Sequence, residues 1–229
     1  MNHLVHFLLC PDDDEVRAGT LIADFARGSD LSGYMPGIRR GIRLHRRIDA
    51  LTDTSPEVDA LKPLVEAPLR RYAGILFDVF FDYALIRGWQ SPSQGSLAQF
   101  TASIYASLSR MQFQMDEPAR GMAQRMRTHN GLISCATHAG CAHTLARIST
   151  RLKRPVNLAA GIRVLEHHED RIAAAFDRLL PALQQEAGNF ALAHAATRGF
   201  APATQPVPHT LYAKRLHQHT PGCYTPATQ

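Results

Sequence analysis

Asp24, His45, Asp49, Asp78 and Asp82 are the residues of this chain best placed to do chemistry. They occur in three short runs, LIADFARG (21–28), LHRRIDALTD (44–53) and FDVFFDYAL (77–85). Each run sets a carboxylate or an imidazole inside an otherwise apolar, helical pattern. Burying one such carboxylate is unfavourable, and burying several is tolerable only when a cation neutralises them. The pattern therefore points to a divalent metal centre within a helical protein, and so to hydrolysis. Residues four apart lie only about 40° around a helix from each other. His45 and Asp49 have that spacing, as do Asp78 and Asp82, and Asp53 extends the first row by one turn. Carboxylates with few histidines suit Mn²⁺ or Mg²⁺ better than a structural zinc.

Each residue also has a plainer reading. Asp53, before Thr54-Ser55-Pro56, could cap the following helix. His45 could be a hydrogen-bonded core histidine, and His3 and His6, near the chain start, could be exposed. His167-His168, in the charged stretch VLEHHEDR, reads as a solvated face. Arg39, Arg40, Arg43, Arg46 and Arg47 share the helix of His45, and positions 39, 43, 46 and 47 recur at helical spacing. Beside a metal site such a face can hold phosphate or dock an acidic protein; otherwise it is a solvated row paired with Asp49 and Asp53.

The elements that must position these groups are helices. Acidic residues Asp12–Asp14 suit the N-terminus of a helix over 14–27. Gly, Ser and Pro make 28–37 a loop, and a second helix covers about 37–51. Ser55 followed by Pro56 is a cap and first turn, opening a helix that runs to about 87 with a bend near Pro63 or Pro68. WQSPSQGS (89–96) is a turn with Ser91 or Ser93 as cap. Helices follow at 96–113, 117–128, 139–153 and 158–187, with breaks at 129–134 and 153–157. No strand and no repeat is expected. From about 199, Pro202, Pro206, Pro208, Pro221 and Pro226 predict an extended or disordered tail.

The 229 residues are enough for a substantial core, and 45% of them are hydrophobic, as in globular proteins. No apolar run approaches the roughly 18 residues of a membrane span, and MNHLVHFLLCPDDDE lacks the basic lead of a signal peptide. These features predict a cytoplasmic protein. Cys10, Cys135, Cys141 and Cys223 form no CxxC and read as reduced, structural thiols. The net charge of +5 favours an acidic partner. Lysine occurs only at 62, 153 and 214, so the excess is arginine, which favours bidentate contact with phosphate or carboxylate.

MNHLVH (1–6), AGTLIADFARG (18–28), GIRLHRRIDALTD (41–53) and FDVFFDYALIRGW (77–89) together resemble, in order and spacing, the acyl carrier protein phosphodiesterase family. The likeness covers about residues 1–90. It implies an all-α fold similar to the HD-type metal phosphohydrolases, dependence on Mn²⁺ or Mg²⁺, and removal of 4′-phosphopantetheine from holo-acyl carrier protein. Carried over by position, His6 matches the histidine of the N-terminal motif, Asp24 an essential acid, and His45, Asp49, Asp78 and Asp82 the remaining polar positions. The chain departs from the pattern at Thr20, where the family usually has Asn, and at Tyr83, where it often has His.

The resulting expectation is one helical domain over 1–198 and a tail over 199–229. The ion is expected on His6, Asp24, His45, Asp49, Asp78 and Asp82. Asp24 or Asp82 is expected to take the proton of water, and Arg46 or Arg47 to stabilise the phosphoryl group. Arg39, Arg40, Arg43 and Arg47 form the expected docking face for holo-acyl carrier protein, with no nucleic acid and no membrane span. Oligomeric state is left open. Two other functions compete: an HD-like hydrolase acting on a nucleotide, and a non-catalytic helical protein that binds the carrier.

Overall fold

In the computed structural model, which describes residues 3–90 and 95–195, every regular element is helical and no strand occurs among the described residues. The main helices are α1 (His3–Leu8), α2 (Asp14–Ile22), α3 (Pro36–Asp53), α4 (Pro56–Leu61), α5 (Ala73–Arg87), α6 (Leu97–Arg110), α7 (Glu117–Thr128), α8 (His138–Ser149) and α9 (Ile162–Ala195). The expected tail at 199–229, Cys223, Ser91 and Ser93 lie outside the described residues; the cap of α6, expected at Ser91 or Ser93, is instead Ser96.

Local chemistry starts most of these helices. The Asp13 carboxylate accepts from the amides of Glu15 and Val16 and caps α2. Ser55 caps α4, with Pro56 at the first position, as its sequence predicts. Ser96 caps α6 in a capping box with Gln99. α3 has no side-chain cap of its own; the Glu15 carboxylate on α2 accepts from Gly37 N at 2.8 Å instead.

Several boundaries differ from expectation, three of them in ways that matter for the site or the core. The helix expected over 14–27 stops at Ile22, so Asp24 sits in the turn that follows rather than on a helix. The helix expected from 55 to 87 is interrupted: α4 gives way to 3-10 turns at Lys62–Leu64 and Leu69–Tyr72 before α5 begins. Pro63 and Pro68 remove amide donors there, which breaks the ladder instead of merely bending it. α9 runs to Ala195, past the expected end at 187, and its backbone leaves helical geometry at His168.

Two glycines hold α2 against α3. A Cβ on Gly19 would lie 2.1 Å from the Ile38 carbonyl oxygen, and one on Gly41 would lie 2.1 Å from that of Val16. Only hydrogen fits at either point, so the two backbones touch. A second contact layer packs Phe77, Phe80 and Phe81 of α5 around one another and sets Phe81 5.3 Å from Phe176 of α9. These rings, fully or nearly fully buried, bury enough surface to dominate the core. α2 is tied to α6 by Arg110, which donates through Nε and Nη2 to Asp14 at 2.5 and 2.7 Å. No described helix is long and apolar enough to cross a membrane.

Candidate metal centre

α1, α3 and the turn after α2 converge on one point. His6 comes from α1, His45 and Asp49 from α3, and Asp24 from the turn. The His6 and His45 rings stack in parallel, with centroids 3.8 Å apart and planes 3° apart. Stacking aims both Nε2 atoms at Asp49: His6 Nε2 lies 3.1 Å from Oδ1 and His45 Nε2 lies 3.1 Å from Oδ2. The four-residue spacing of His45 and Asp49 therefore does what helical geometry allows. Asp24 stands slightly further out, with its oxygens 3.6 Å from His45 Nε2 and 3.6 Å from His3 Nδ1.

The electrostatics follow from burial. Desolvation, reinforced by the neighbouring His45, lowers His6 to about 3, so its ring is a neutral donor of a lone pair at ordinary pH. Desolvation also lowers His3, partly offset by Asp24. Burial by itself would raise Asp49, but hydrogen bonds to His45 and His6 outweigh it and hold the carboxyl well below the usual range. His45 Nδ1 is buried with no hydrogen-bond partner among the described residues, so the ring is engaged through Nε2 alone.

His6, His45 and Asp49 each offer a ligand atom, and these atoms lie within 4.8 Å of one another. Neutral imidazole and ionised carboxylate are the forms that bind a divalent ion, so the donor set fits a cation of that class. Asp24 lies at the edge of this group, with a side chain 37% exposed, where it can meet water or substrate.

Of the other expected site residues, Asp82, Arg46 and Arg47 have partners of their own, and Asp78 lies near enough to feel the charge of Asp49. Asp82 is 1% exposed, and its two oxygens accept from Leu4 N and Val5 N at 3.1 Å each. These are first-turn amides of α1, which have no intrahelical partner. Asp82 thus anchors the helix that carries His3 and His6. Asp78 is partly buried; desolvation, with the charges of Asp49 and Asp53 nearby, pushes it up to about 6. Arg46 donates to the carbonyls of Gly28 and Ala26 at 2.8 Å each and so fixes the chain just beyond Asp24. Arg47 pairs with Glu186 of α9. On the expected docking face, Arg40 pairs with Asp13 at 3.1 Å, while Arg39 and exposed Arg43 have no side-chain partner among the described residues.

A place near the chain start allows exposure, yet His6 is buried and His3 is partly buried against Asp24. No spacing rule links it to α3; only the fold does. Thr20 Oγ1 donates to Val16 O and meets Cys10 Sγ at 3.4 Å. The Tyr83 hydroxyl donates to Glu169 at 2.8 Å, and a second acceptor bond there joins Glu169 to His138. Of the pair expected on a solvated face, His167 is exposed and His168 is partly buried at the break in α9.

A profile of the family described as acyl carrier protein phosphodiesterase matches residues 1–183. Among curated proteins, the chain is similar to the acyl carrier protein phosphodiesterase of Pectobacterium atrosepticum, with 30% identity over 81% of this chain and 96% of that one. The Escherichia coli O45:K1 protein of the same name is 30% identical over 84% of this chain and all of that one. That of Yersinia enterocolitica is 43% identical over 89 residues, covering 39% of this chain and 46% of that one. No solved structure matches the chain.

Proposed function

This chain belongs to the acyl carrier protein phosphodiesterase family, a family of hydrolases, and from that premise we propose that it removes 4′-phosphopantetheine from holo-acyl carrier protein in a metal-dependent reaction. The observation that carries the reading is the meeting of His6, His45 and Asp49 at one buried point beside the accessible carboxylate of Asp24.

His6, His45 and Asp49 would hold Mn²⁺, with Mg²⁺ as the alternative. The ion, when bound, acidifies water and withdraws charge from a phosphoryl oxygen. Asp24 accepts the proton of the attacking water, and His3 beside it holds its carboxylate in place. The water oxygen bonds to phosphorus, the bond from phosphorus to the carrier serine oxygen breaks, and that oxygen takes up a proton. Apo-carrier and 4′-phosphopantetheine result. Arg39 and Arg43 remain open to an acidic carrier surface. Asp82 serves the site through α1 rather than as a base. The all-helical framework and mixed His/Asp cluster support an HD-type chemistry. The buried thiols Cys10 and Cys141, which form no disulfide, support a reducing, cytoplasmic setting.

The test is intact-protein mass spectrometry of holo-acyl carrier protein incubated with the chain, with Mn²⁺ and with EDTA. Loss of the prosthetic-group mass with Mn²⁺ alone is the expected result. Retention of that mass with Mn²⁺ and with Mg²⁺ overturns the reading.

A further inference from the structure

A cavity of about 510 Å³ opens next to the His/Asp cluster, within the size range of small-molecule sites, about 300–1,000 Å³. His3 belongs to both: it lines the cavity and faces Asp24. Arg125 of α7, Arg147 of α8 and Arg151 just beyond α8 line the cavity, and no carboxylate does. None of the three arginines has an ion-pair or side-chain hydrogen-bond partner among the described residues. They are close enough to repel one another: burial and the charges of Arg147 and Arg125 lower Arg151, and Asp24 opposes them. Converging guanidinium groups without acids are stabilised by an anion, and their planar forks fit phosphate oxygens. Met122, Met126 and Ile148 give the same cavity an apolar wall.

We propose that this cavity is the phosphate subsite of the reaction: Arg125, Arg147 and Arg151 hold the phosphate-ester end of 4′-phosphopantetheine against His3 and Asp24. The assignment rests on the reaction proposed above and adds residues to it. Arg46 and Arg47 are committed to carbonyls and to Glu186, whereas the cavity arginines are open. The carbon skeleton beside that phosphate is a branched aliphatic unit, which matches the methionine and isoleucine wall. A diester of one negative charge becomes a monoester of up to two, so the cluster favours the product side of the cleavage.

The test compares 4′-phosphopantetheine with pantetheine by titration calorimetry on the full chain in EDTA. The wild type is expected to bind the phosphorylated compound at least about tenfold more tightly, and Arg147→Gln and Arg151→Gln each to remove about tenfold of that difference, with pantetheine binding unchanged. Thermal melts and Mn²⁺ binding equal to wild type confirm that the variants are folded. Equal affinity for the two compounds, or no change in the variants, overturns the subsite. Arginine-dependent binding of guanosine tetraphosphate without binding of 4′-phosphopantetheine overturns the ligand class. Hydrolysis of holo-carrier by the Arg125→Gln/Arg147→Gln/Arg151→Gln variant with wild-type KM and kcat overturns the subsite while the reaction stands. Arginine-dependent binding of 4′-phosphopantetheine by a wild type that leaves holo-carrier intact upholds the subsite while the reaction falls.

Discussion

Asp82→Ala separates a supporting role from a chemical one. In the wild type, the Asp82 carboxyl accepts the amides of Leu4 and Val5, two residues with no exposed surface. Alanine leaves both donors buried without an acceptor. Each costs about 1–3 kcal/mol, so the pair costs about 2–6 kcal/mol, a large part of a typical 5–15 kcal/mol. Asp82→Asn is gentler. Burial, reinforced by Cys135, raises Asp82 well above the ordinary carboxylate value; asparagine removes that charge and keeps one acceptor oxygen, but its NH2 group leaves one of the two amides unsatisfied, so the expected cost is about 1–3 kcal/mol, half that of alanine. The unfolded chain releases this proton near pH 4 and the folded chain only at higher pH. Asp82 therefore withdraws stability as pH rises through that window, and Asp82→Asn should gain relative to wild type from pH 4 upward. Urea unfolding followed by circular dichroism measures both variants, and amide exchange at Leu4 and Val5 locates the effect. Activity of Asp82→Asn under folding conditions should stay within a few-fold of wild type. An Asp82→Asn protein of normal stability that loses hydrolysis by a hundredfold would refute the reasoning and return Asp82 to the chemistry.

Asp49→Asn should abolish tight Mn²⁺ binding, seen by electron paramagnetic resonance, and lower hydrolysis by about a hundredfold or more; Mn²⁺ should raise the melting temperature of the wild type but not of this variant. Gly41→Ala should destabilise by about 1–3 kcal/mol in denaturant titration, since a methyl group there meets the Val16 carbonyl oxygen, and overpacking outweighs the gain in helix propensity. Hydrogen bonds from Arg110 and Ser107 lower Asp14 to about 2. Its contribution is fully present above the ordinary carboxylate value and is lost as pH falls toward about 2; at a partly exposed site it amounts to under about 1 kcal/mol. Wild type and Asp14→Asn should thus differ at pH 6 and converge as pH falls through about 2.

The helical class and the His45–Asp49 pair were legible because both depend on periodicity within one element. α3 and α7 follow the pattern closely, at Pro36–Asp53 and Glu117–Thr128. The same four-residue spacing does not say what Asp82 meets: only the arrival of α1 decides that it accepts the amides of Leu4 and Val5, whereas Asp78, one turn earlier on α5, feels the charge of Asp49. α1 itself, six residues long, is too short for a periodic signal. Arg46 and Arg47 looked available because sequence shows a charge but not its partner; Ala26, Gly28 and Glu186 are 18 residues or more away. The arginines of the cavity come from α7, α8 and the chain after it, where no spacing links them to Asp24, and only packing brings them to His3.

The contact between Gly19 and Gly41 settles how this family member can diversify. Because main chain rests on main chain there, α2, which leads into the turn bearing Asp24, and α3, which bears His45, have no side chain between them at that crossing to trim or enlarge. Core substitutions elsewhere cannot widen the spacing there by small steps, and any residue at either glycine forces the helices apart at once. The reacting end of the molecule is therefore a fixed gauge. Variation in what the protein accepts must come from the opposite wall, where α7 and α8 present long, replaceable side chains to the cavity.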